Sequence, residues 1–393
     1  MIGCKWKIRS EWRKTLIPLS SYLMYSLLLL TVEVEKRYFL EPAISLEPDI
    51  TITHIFPLPD TISSDTLYEV RSGSGLPIYY FRKINTNVCF DNKCRFLRTN
   101  VYWNITGRYL GLEFIEDEFL SKTDHVPFTE PEYLEMNQML ADSLSVLAEY
   151  EFEDVVVAGP VNNTGVDGVT SATLPAIRDY VVDGAVFTTL KLWHIIHGPT
   201  KRMVENLTSQ NLSEDLVLLL LDSPDSYDLV WTIRNINENE KWPATIQAAV
   251  ADKLGVNYLR SNSILNSIGS RHLDSGFQGH LLQVFLASDY GMKELIVDKL
   301  SETERLNEKI AFELIREMPN LQGNLFVKLL ELVGKQDWQD IEMYRNVAAL
   351  LKLPNAFLSG KVYELLKTRN IDDPVIMNAM DNYARGNADR ENE

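Results

Sequence analysis

The sequence predicts an α+β domain followed by an all-α domain of helical repeats. Three observations predict this order. Short aromatic and β-branched segments separated by turns fill the first half of the chain. Beyond about residue 198 the apolar spacing becomes that of helices of about 10 to 16 residues separated by short polar breaks. The length of 393 residues exceeds that of a typical single domain, so two domains are expected.

The composition indicates a globular protein and excludes several functions. Hydrophobic residues make up 45% of the chain and aromatic residues 10%. The formal net charge of −17 opposes attraction to phosphate backbones, so nucleic acid is not an expected partner. The chain has no Walker loop, no G-x-G-x-x-G and no G-x-S-x-G motif. Dinucleotide dehydrogenases, NTPases and α/β-hydrolases therefore lack their required sequence elements.

The N-terminus combines a basic flank with an uncharged apolar stretch at residues 15–32. As a helix this stretch is roughly 27 Å long, close to the hydrocarbon thickness of a bilayer. The positive flank predicts a cytoplasmic N-terminus, with the remainder exported to the periplasm or otherwise outside the cytoplasm. No small-residue cleavage site follows, which favours an uncleaved inner-membrane anchor over a signal peptide. The alternative is a buried N-terminal helix that contains Pro18.

The first half is predicted to form a mixed or antiparallel sheet with one helix. Residues 78–81, 94–103 and 109–115 have the aromatic and β-branched composition of strands. Residues 131–150 change to a helical period. The valine-rich residues 154–158 predict a strand buried on both of its faces.

The cysteines predict one disulfide. Cys89 and Cys94 flank Asp91-Asn92, which can form the two-residue loop of a hairpin and place the two thiols opposite each other. Export would put them in a compartment that permits a disulfide. Four tripeptides also match the N-glycosylation pattern, which has meaning only in a eukaryotic source. They begin at Asn104, Asn162, Asn206 and Asn211.

The second half is predicted to contain eleven helices. Their succession resembles HEAT-like antiparallel helix pairs, although no repeat of fixed length is visible in the sequence. An ordinary non-repetitive helical bundle is the alternative. The predicted helices are residues 212–221, 226–235, 243–254, 260–268, 277–287, 292–300, 304–317, 321–333, 338–351, 356–367 and 374–383.

The segment that carries chemistry contains Asp167, Thr170, Ser171, Ala172 and Thr173. The pattern predicts a buried strand, a loop of small residues and a helix that begins near the last threonine. The free backbone N–H groups and the positive dipole end of such a helix suit a phosphodiester. The alternative is that one of the two threonines simply caps a helix and binds no ligand.

This segment resembles the FMN-binding domain of the Rnf and sodium-translocating NADH:quinone reductase subunits. The pattern of that family is Asp-x-x-Ser/Thr-Gly-Ala-Thr, and its last threonine receives FMN through a phosphoester bond made by a flavin transferase. The resemblance covers residues 96–198 and implies Thr173 as the acceptor. Asp167, Thr170 and Ala172 match, whereas Ser171 stands where the family has glycine.

The resemblance implies an exported, membrane-anchored flavoprotein in which FMN, attached covalently at Thr173, relays electrons, while the helical domain binds a redox partner or another protein. The alternative is a non-redox interaction scaffold whose FMN-binding-like module carries no flavin. No catalytic turnover and no metal site are assigned. The predicted domains are a signal or anchor at residues 1–36, the FMN-binding-like domain at 37–198, the helical domain at 199–386 and a polar tail at 387–393.

Three other groups of residues are candidates to bind a metal, haem or flavin. His194 and His197 lie on adjacent helical positions and have the chemistry of metal or haem ligands, but a helix end also favours histidine. Residues 122–125 place an acid beside a possible base in the flavin pocket, although neighbouring side chains point apart. Three aromatic residues are candidates to stack on a flavin or, alternatively, to form core: Trp103, Tyr109 and Trp193.

Overall fold

A computed structural model describes residues 37–55, 65–88, 96–115, 118–122, 126–151, 154–155, 175–236, 241–369 and 371–391. The predicted anchor at residues 1–36 and the predicted disulfide between Cys89 and Cys94 lie outside these ranges. A bilayer-spanning segment, which needs about 20 apolar residues in one helix, is not found among the residues that the structure describes.

One antiparallel sheet forms the centre of the first half. Its strands lie side by side in the order β1-β6-β5-β4-β3-β2, so β1 and β2 are the edges. Helices dominate the chain after the sheet, which confirms the predicted order of an α+β region followed by an all-α region. The strands are β1 (Arg37–Phe39), β2 (Pro48–Ile55), β3 (Thr66–Ser72), β4 (Pro77–Thr86), β5 (Leu97–Asn104) and β6 (Tyr109–Phe114).

The three predicted strands correspond to β4, β5 and β6 in the described residues, whereas β1, β2 and β3 fall where the pattern predicts no strand. Strand β2 is exposed along most of its length, so it lacks the buried apolar alternation that identifies a strand. Strand β3 alternates Glu69 and Arg71 with apolar residues, and Arg71 Nε donates a hydrogen bond to Glu69 Oε1 at 2.7 Å. Its inward face is therefore partly polar.

The inner face of the sheet is packed against helices. In β4 the side chains of Ile78, Tyr80, Arg82 and Ile84 are all buried, and the residues between them are less buried. The arginine is fully buried, and its Nη1 donates a hydrogen bond to Thr200 Oγ1 at 3.0 Å. This bond joins the middle of the sheet to the first turn of a helix 118 residues later in the chain.

The outer face of the sheet carries a row of aromatic rings across neighbouring strands. Phe39 and Tyr102 lie on either side of Gly111 in the register, with ring centroids 4.8 Å apart. Phe81 continues the row, 5.4 Å from Tyr102. A Cβ on Gly111 would lie 2.0 Å from the Tyr38 carbonyl oxygen, so glycine at this position allows β1 to pair with β6.

Two helices cover the inner face: α1 (Glu130–Ala141) and α2 (Val186–His197). The predicted helix at residues 131–150 is therefore shorter than expected. It ends where Asp142 takes an extended backbone conformation. A separate 3₁₀ helix, Val146–Glu149, follows and begins where Ser145 Oγ accepts a hydrogen bond from Leu147 N.

The second half of the described chain consists of twelve further α-helices. Ten of the eleven predicted helices extend within about four residues of the observed bounds at each end, whereas α14 runs eight residues beyond its predicted end. The unpredicted helix is the first of this half. The helices are α3 (Pro199–Ser209), α4 (Glu214–Leu221), α5 (Ser226–Asn235), α6 (Ala244–Asp252), α7 (Tyr258–Ser267), α8 (Ser275–Ala287), α9 (Tyr290–Leu300), α10 (Glu308–Glu317), α11 (Gly323–Gly334), α12 (Ile341–Ala349), α13 (Ala356–Lys367) and α14 (Pro374–Glu391).

The helices from α4 onward form two layers with a nearly constant repeat length. Even-numbered helices contact the next even-numbered helix, and odd-numbered helices from α5 contact the next odd-numbered one. The odd-numbered helices begin at N-caps 32 or 33 residues apart, namely Asp225, Asn257, Asp289, Gln322 and Asn355. This array therefore repeats a two-helix unit whose length varies by one residue between these caps.

Two buried glutamines connect consecutive units of the array. Gln247 Nε2 donates hydrogen bonds to Trp242 O at 3.0 Å and to Asp274 Oδ1 at 3.3 Å. Gln278 occupies the equivalent position one unit later, where its Oε1 accepts a hydrogen bond from Asn307 N at 2.8 Å. Each glutamine thus bonds to the N-cap residue of the next unit.

The described residues bury two hydrophobic clusters, one on the sheet and one along the array. Leu216, Leu220 and Trp231 of α4 and α5 belong to the sheet cluster, whereas Val217 and Leu221 of α4 belong to the array cluster. Helices α4 and α5 therefore pack on both sides. The domain boundary at residue 198 stays a prediction.

Candidate functional site

The residues that the sequence assigns to flavin attachment lie outside the described part of the chain. They are Asp167, Thr170, Ser171, Ala172 and Thr173. The described residues on either side of this segment include buried apolar side chains. Val155 and Ile177 are buried at 1% and 0% exposure and belong to the sheet cluster. Both ends of the segment 156–174 are thus attached to the same core.

The valine-rich strand predicted at residues 154–158 is not formed at its first two residues, and the other three lie outside the described ranges. Asp154 N donates a hydrogen bond to Glu151 O at 3.2 Å. In return, the side chain of Asp154 accepts one from Glu151 N at 2.9 Å. These local bonds close a turn there, because an aspartate competes with strand pairing for nearby backbone groups.

The helix predicted after Thr173 is a 3₁₀ helix, Pro175–Tyr180. It has only six residues, and an α-helix begins only later, at Val186. A helix this short does not build the dipole and the set of free N–H groups that bind a phosphate. The described 3₁₀ helix therefore does not support the helix-terminus argument, and a phosphodiester at Thr173 stays a prediction because residues 156–174 lie outside the described part of the chain.

The end of α2 uses three polar side chains to hold the segment that follows α1. Each donates to a main-chain carbonyl at or just after the end of a helix. The bonds join Trp193 Nε1 to Asp142 O at 2.9 Å, His194 Nε2 to Tyr150 O at 2.8 Å and His197 Nε2 to Leu140 O at 2.9 Å.

These bonds give His194 and His197 a structural role and leave only Nδ1 of each ring as a possible ligand atom. Because a carbonyl only accepts, Nε2 of each ring carries the proton and cannot bind a metal at the same time. Within the described residues, no group of three or more His, Cys, Asp or Glu side chains is arranged to hold a metal ion. Burial lowers the pKa of His197 to about 4, so this ring is neutral at pH 7.

A small polar cavity of about 130 Å³ lies beside His197. The Nδ1 atom of this ring is buried and has no hydrogen-bond partner in the described structure. A site for a drug-sized ligand needs about 300 Å³ or more, so this cavity suits water and not an isoalloxazine ring. Its lining includes Arg108, Ser143, Lys201, Asp225 and Tyr227.

Next to this cavity, a buried carboxylate joins the sheet to the array. Asp228 in the first turn of α5 is fully buried. It accepts hydrogen bonds from Asn104 Nδ2 at 2.8 Å, Thr106 Oγ1 at 2.5 Å and Ser223 Oγ at 2.7 Å. Arg108 Nη2 donates at 2.8 Å and adds a positive charge. We call these five residues the Asp228 cluster.

Sequence reasoning missed the Asp228 cluster because its members are far apart in the chain. The bonds from the β5–β6 turn to the carboxylate span 120 to 124 residues. The one local signal, Asn104-Ile105-Thr106, has the pattern of a glycosylation site. In the structure Asn104 and Thr106 are both fully buried, so this tripeptide is not available for glycosylation.

The candidate aromatic residues for flavin stacking form core. Trp103 is fully buried, and its Nε1 donates a hydrogen bond to Ile196 O at 2.8 Å. Tyr109 is 1% exposed, and its hydroxyl donates to Asn137 Oδ1 at 2.8 Å. Trp193, 5% exposed, makes the carbonyl bond described above. Their faces pack against protein, so they do not present a free stacking surface.

The predicted acid–base group at residues 122–125 is only partly described. Lys122 Nζ donates to Glu132 Oε1 at 2.6 Å, and this bond holds the pKa of Glu132 down at about 2. The pair joins the β-bridged loop to the first turn of α1. Asp124 and His125 lie outside the described ranges, so the arrangement of that acid and base stays a prediction.

An open groove of about 730 Å³ lies at the starts of α8 and α10. Its lining mixes cationic and anionic side chains, including Arg305, Lys309, Asp274 and Glu308. Such mixed charge favours neither an anion nor a cation.

Comparison with protein families, curated proteins and solved structures finds no match to this chain.

Proposed function

We propose that the chain is an exported, membrane-anchored flavoprotein that carries FMN on Thr173 and relays electrons. The observation that supports it most is the residue set Asp167, Thr170, Ala172 and Thr173, at the spacing of the covalent FMN motif. A threonine hydroxyl is a sufficient acceptor for a phosphoester, and the small side chains of Ser171 and Ala172 leave room for a phosphate. The flavin would supply the redox chemistry.

The described residues that flank the flavin segment also support this proposal. Val155 and Ile177 attach both ends of the flavin segment to the sheet core. A cofactor attached covalently to this segment would stay with the sheet domain and, outside the cytoplasm, would not be lost by dissociation. No residue of the chain is assigned to substrate turnover, so electron relay is proposed rather than an enzyme with its own substrate.

The same proposal treats the helical array as a HEAT-like repeat. In it, the array binds the redox partner protein. Two neighbouring turns of the array expose apolar side chains, with Val256 at 83%, Leu259 at 74%, Tyr258 at 53%, Tyr290 at 49% and Leu286 at 41%. A cluster of exposed apolar residues on a soluble surface is typical of a protein interaction site. The array would therefore bring a partner to the flavin-bearing domain.

The test is the intact mass of the full chain produced together with a flavin transferase. We expect a gain equal to one FMN less one water, located on the peptide that contains Thr173. Thr173→Ala removes the acceptor oxygen and should abolish the gain. Thr173→Ser keeps a hydroxyl and is the matched control, expected to retain attached flavin. An unmodified wild-type mass in the presence of active transferase would contradict the proposal.

A second candidate is a non-redox interaction scaffold, and Ser171 is the observation that favours it. Where the family has glycine, this chain has a side chain, which costs about 1 kcal/mol if the position needs a positive φ. Ser171→Gly distinguishes the two. A flavinylated fraction that rises on this substitution would mean that Ser171 impairs recognition, whereas absence of flavin in both forms favours the scaffold.

A further inference from the structure

Strand β2 is an edge strand whose outer side is unoccupied by the described residues. It pairs with β3 on one side, and no described strand pairs with it on the other. In an antiparallel pair every second residue turns its N–H and C=O away from the neighbour, so about half of β2 presents free backbone groups. Ile50 and Ile55 are also exposed, at 44% and 76%.

Residues 50–55 of this edge lack the features by which proteins normally prevent edge pairing. Exposed edges usually carry a lysine, an internal proline, a central bulge or a cover. From Ile50 to Ile55 the chain reads Ile-Thr-Ile-Thr-His-Ile, with no lysine, no proline and no carboxylate. The only irregularity in the pairing lies before this run, between Pro48 and Ile50. The run is β-branched and accessible, which suits strand addition.

We propose that β2 is a dimer interface, at which β2 of a second copy of this chain pairs antiparallel and extends the sheet to twelve strands. The charge pattern argues for a second copy. The run offers no fixed charge for a foreign partner to recognise, and its one titratable residue, His54, already contacts Glu69 Oε2 at 2.7 Å. A second copy meets it with the same uncharged alternation, in the isologous contact typical of homodimers.

Geometry fixes the register of this pairing. In a continuous sheet, the side chains of directly opposite residues lie on the same face. The two-fold axis that relates the two copies of β2 must therefore pass through one residue, which lies opposite its own copy, and not between two residues. An axis at Ile52 pairs all seven residues after Pro48, which has no N–H to donate. Thr51 of each copy then lies opposite Thr53 of the other. Asp49 lies opposite Ile55, so no like charges face each other.

The test is sedimentation equilibrium of the full chain. We expect wild type to dimerise. The double substitution Thr51→Lys and Thr53→Lys brings four lysines together at the interface and should raise the dimer dissociation constant at least about tenfold. Ser263→Lys with Asn266→Lys adds the same charge on exposed positions of α7 and should leave the constant unchanged. Circular dichroism checks that each variant is folded.

A cysteine cross-link separates this interface from any other route to a dimer. The register places the two copies of Ile52 opposite each other, close enough for Ile52→Cys to form a disulfide with itself. Peptide mapping of the oxidised variant should find that link. A monomeric wild type, an equal effect of the α7 lysines, or a dimer without the link would each overturn the proposal. None of these outcomes depends on flavin attachment.

Discussion

The sheet domain and the helical array are stabilised in different ways. In the sheet domain, single buried polar contacts join residues distant in the chain, such as Arg82 to Thr200 and Asn104 to Asp228. In the array, N-cap side chains accept hydrogen bonds from backbone N–H groups in the first turn of most helices, and successive caps of one layer are mostly 32 or 33 residues apart. A few residues thus determine the stability of the first region, whereas the second distributes it over equivalent positions.

This difference explains where each region tolerates change. A buried charge that loses its partners is costly because it has no access to water. An exposed N-cap that loses its side chain leaves donors that water can reach. We therefore expect single substitutions in the Asp228 cluster to have larger effects on the free energy of unfolding than single cap substitutions in the array.

The largest expected effect is that of Asp228→Asn. This change removes the charge that pairs with Arg108 and leaves more donors than acceptors at a fully buried site. We expect it to lower the free energy of unfolding by about 3 to 5 kcal/mol in urea titrations. Asp215→Asn, in the exposed first turn of α4, is the matched control and should cost less than about 1 kcal/mol. Equal losses of free energy of unfolding in the two variants would contradict the expected difference between the sheet domain and the array.

Because of His197, the free energy of unfolding is expected to depend on pH. Its pKa of about 4 is below the ordinary value of 6.5, mainly because of burial, so the unfolded chain binds this proton more tightly. The stability that the neutral His197 ring contributes is therefore fully present above about pH 6.5 and is lost as the pH falls towards 4. Over this window the loss is about 3 kcal/mol.

The measurement for His197 is urea unfolding at pH 4 and pH 7 for wild type and His197→Gln. Glutamine can still donate to Leu140 O but does not titrate. The loss of stability between the two pH values should be smaller in the variant by about 3 kcal/mol. An identical loss in both proteins would show that His197 does not contribute to the acid sensitivity.

The smallest expected effect is that of a single cap in the array. The side chain of Asp289 accepts a hydrogen bond from Met292 N at 3.0 Å and starts α9. Asp289→Ala should lower the free energy of unfolding by about 1 kcal/mol, whereas Asp289→Ser keeps an acceptor and should stay within a few tenths. Thermal melts of the two variants test this ordering, and a loss above about 3 kcal/mol would argue against distributed stability.

The same difference determines what the sequence can predict. The predicted bounds of α5 and α13, residues 226–235 and 356–367, match the observed ones because a local apolar period and a local cap specify each helix. Helix α3 is missed because Pro199 suggests a stop, yet proline is also favoured in the first turn of a new helix.

The candidate sites follow the same rule. The motif around Thr173 can be compared with a family pattern from sequence alone because its residues lie within seven positions. The roles of His194 and His197 cannot be identified from sequence, since they depend on carbonyls more than 40 residues away. The open edge at β2 is missed for another reason, because an exposed strand carries no buried alternation.

Hydrogen exchange of the full chain, followed by mass spectrometry, tests the contrast between the two regions most directly. Asp228→Asn should accelerate exchange in α5 and also in β5 and β6, more than 100 residues away in the chain. Asp289→Ala should accelerate exchange only in the first turns of α9. Acceleration confined to α5 in the first variant, or spread across the array in the second, would contradict the account.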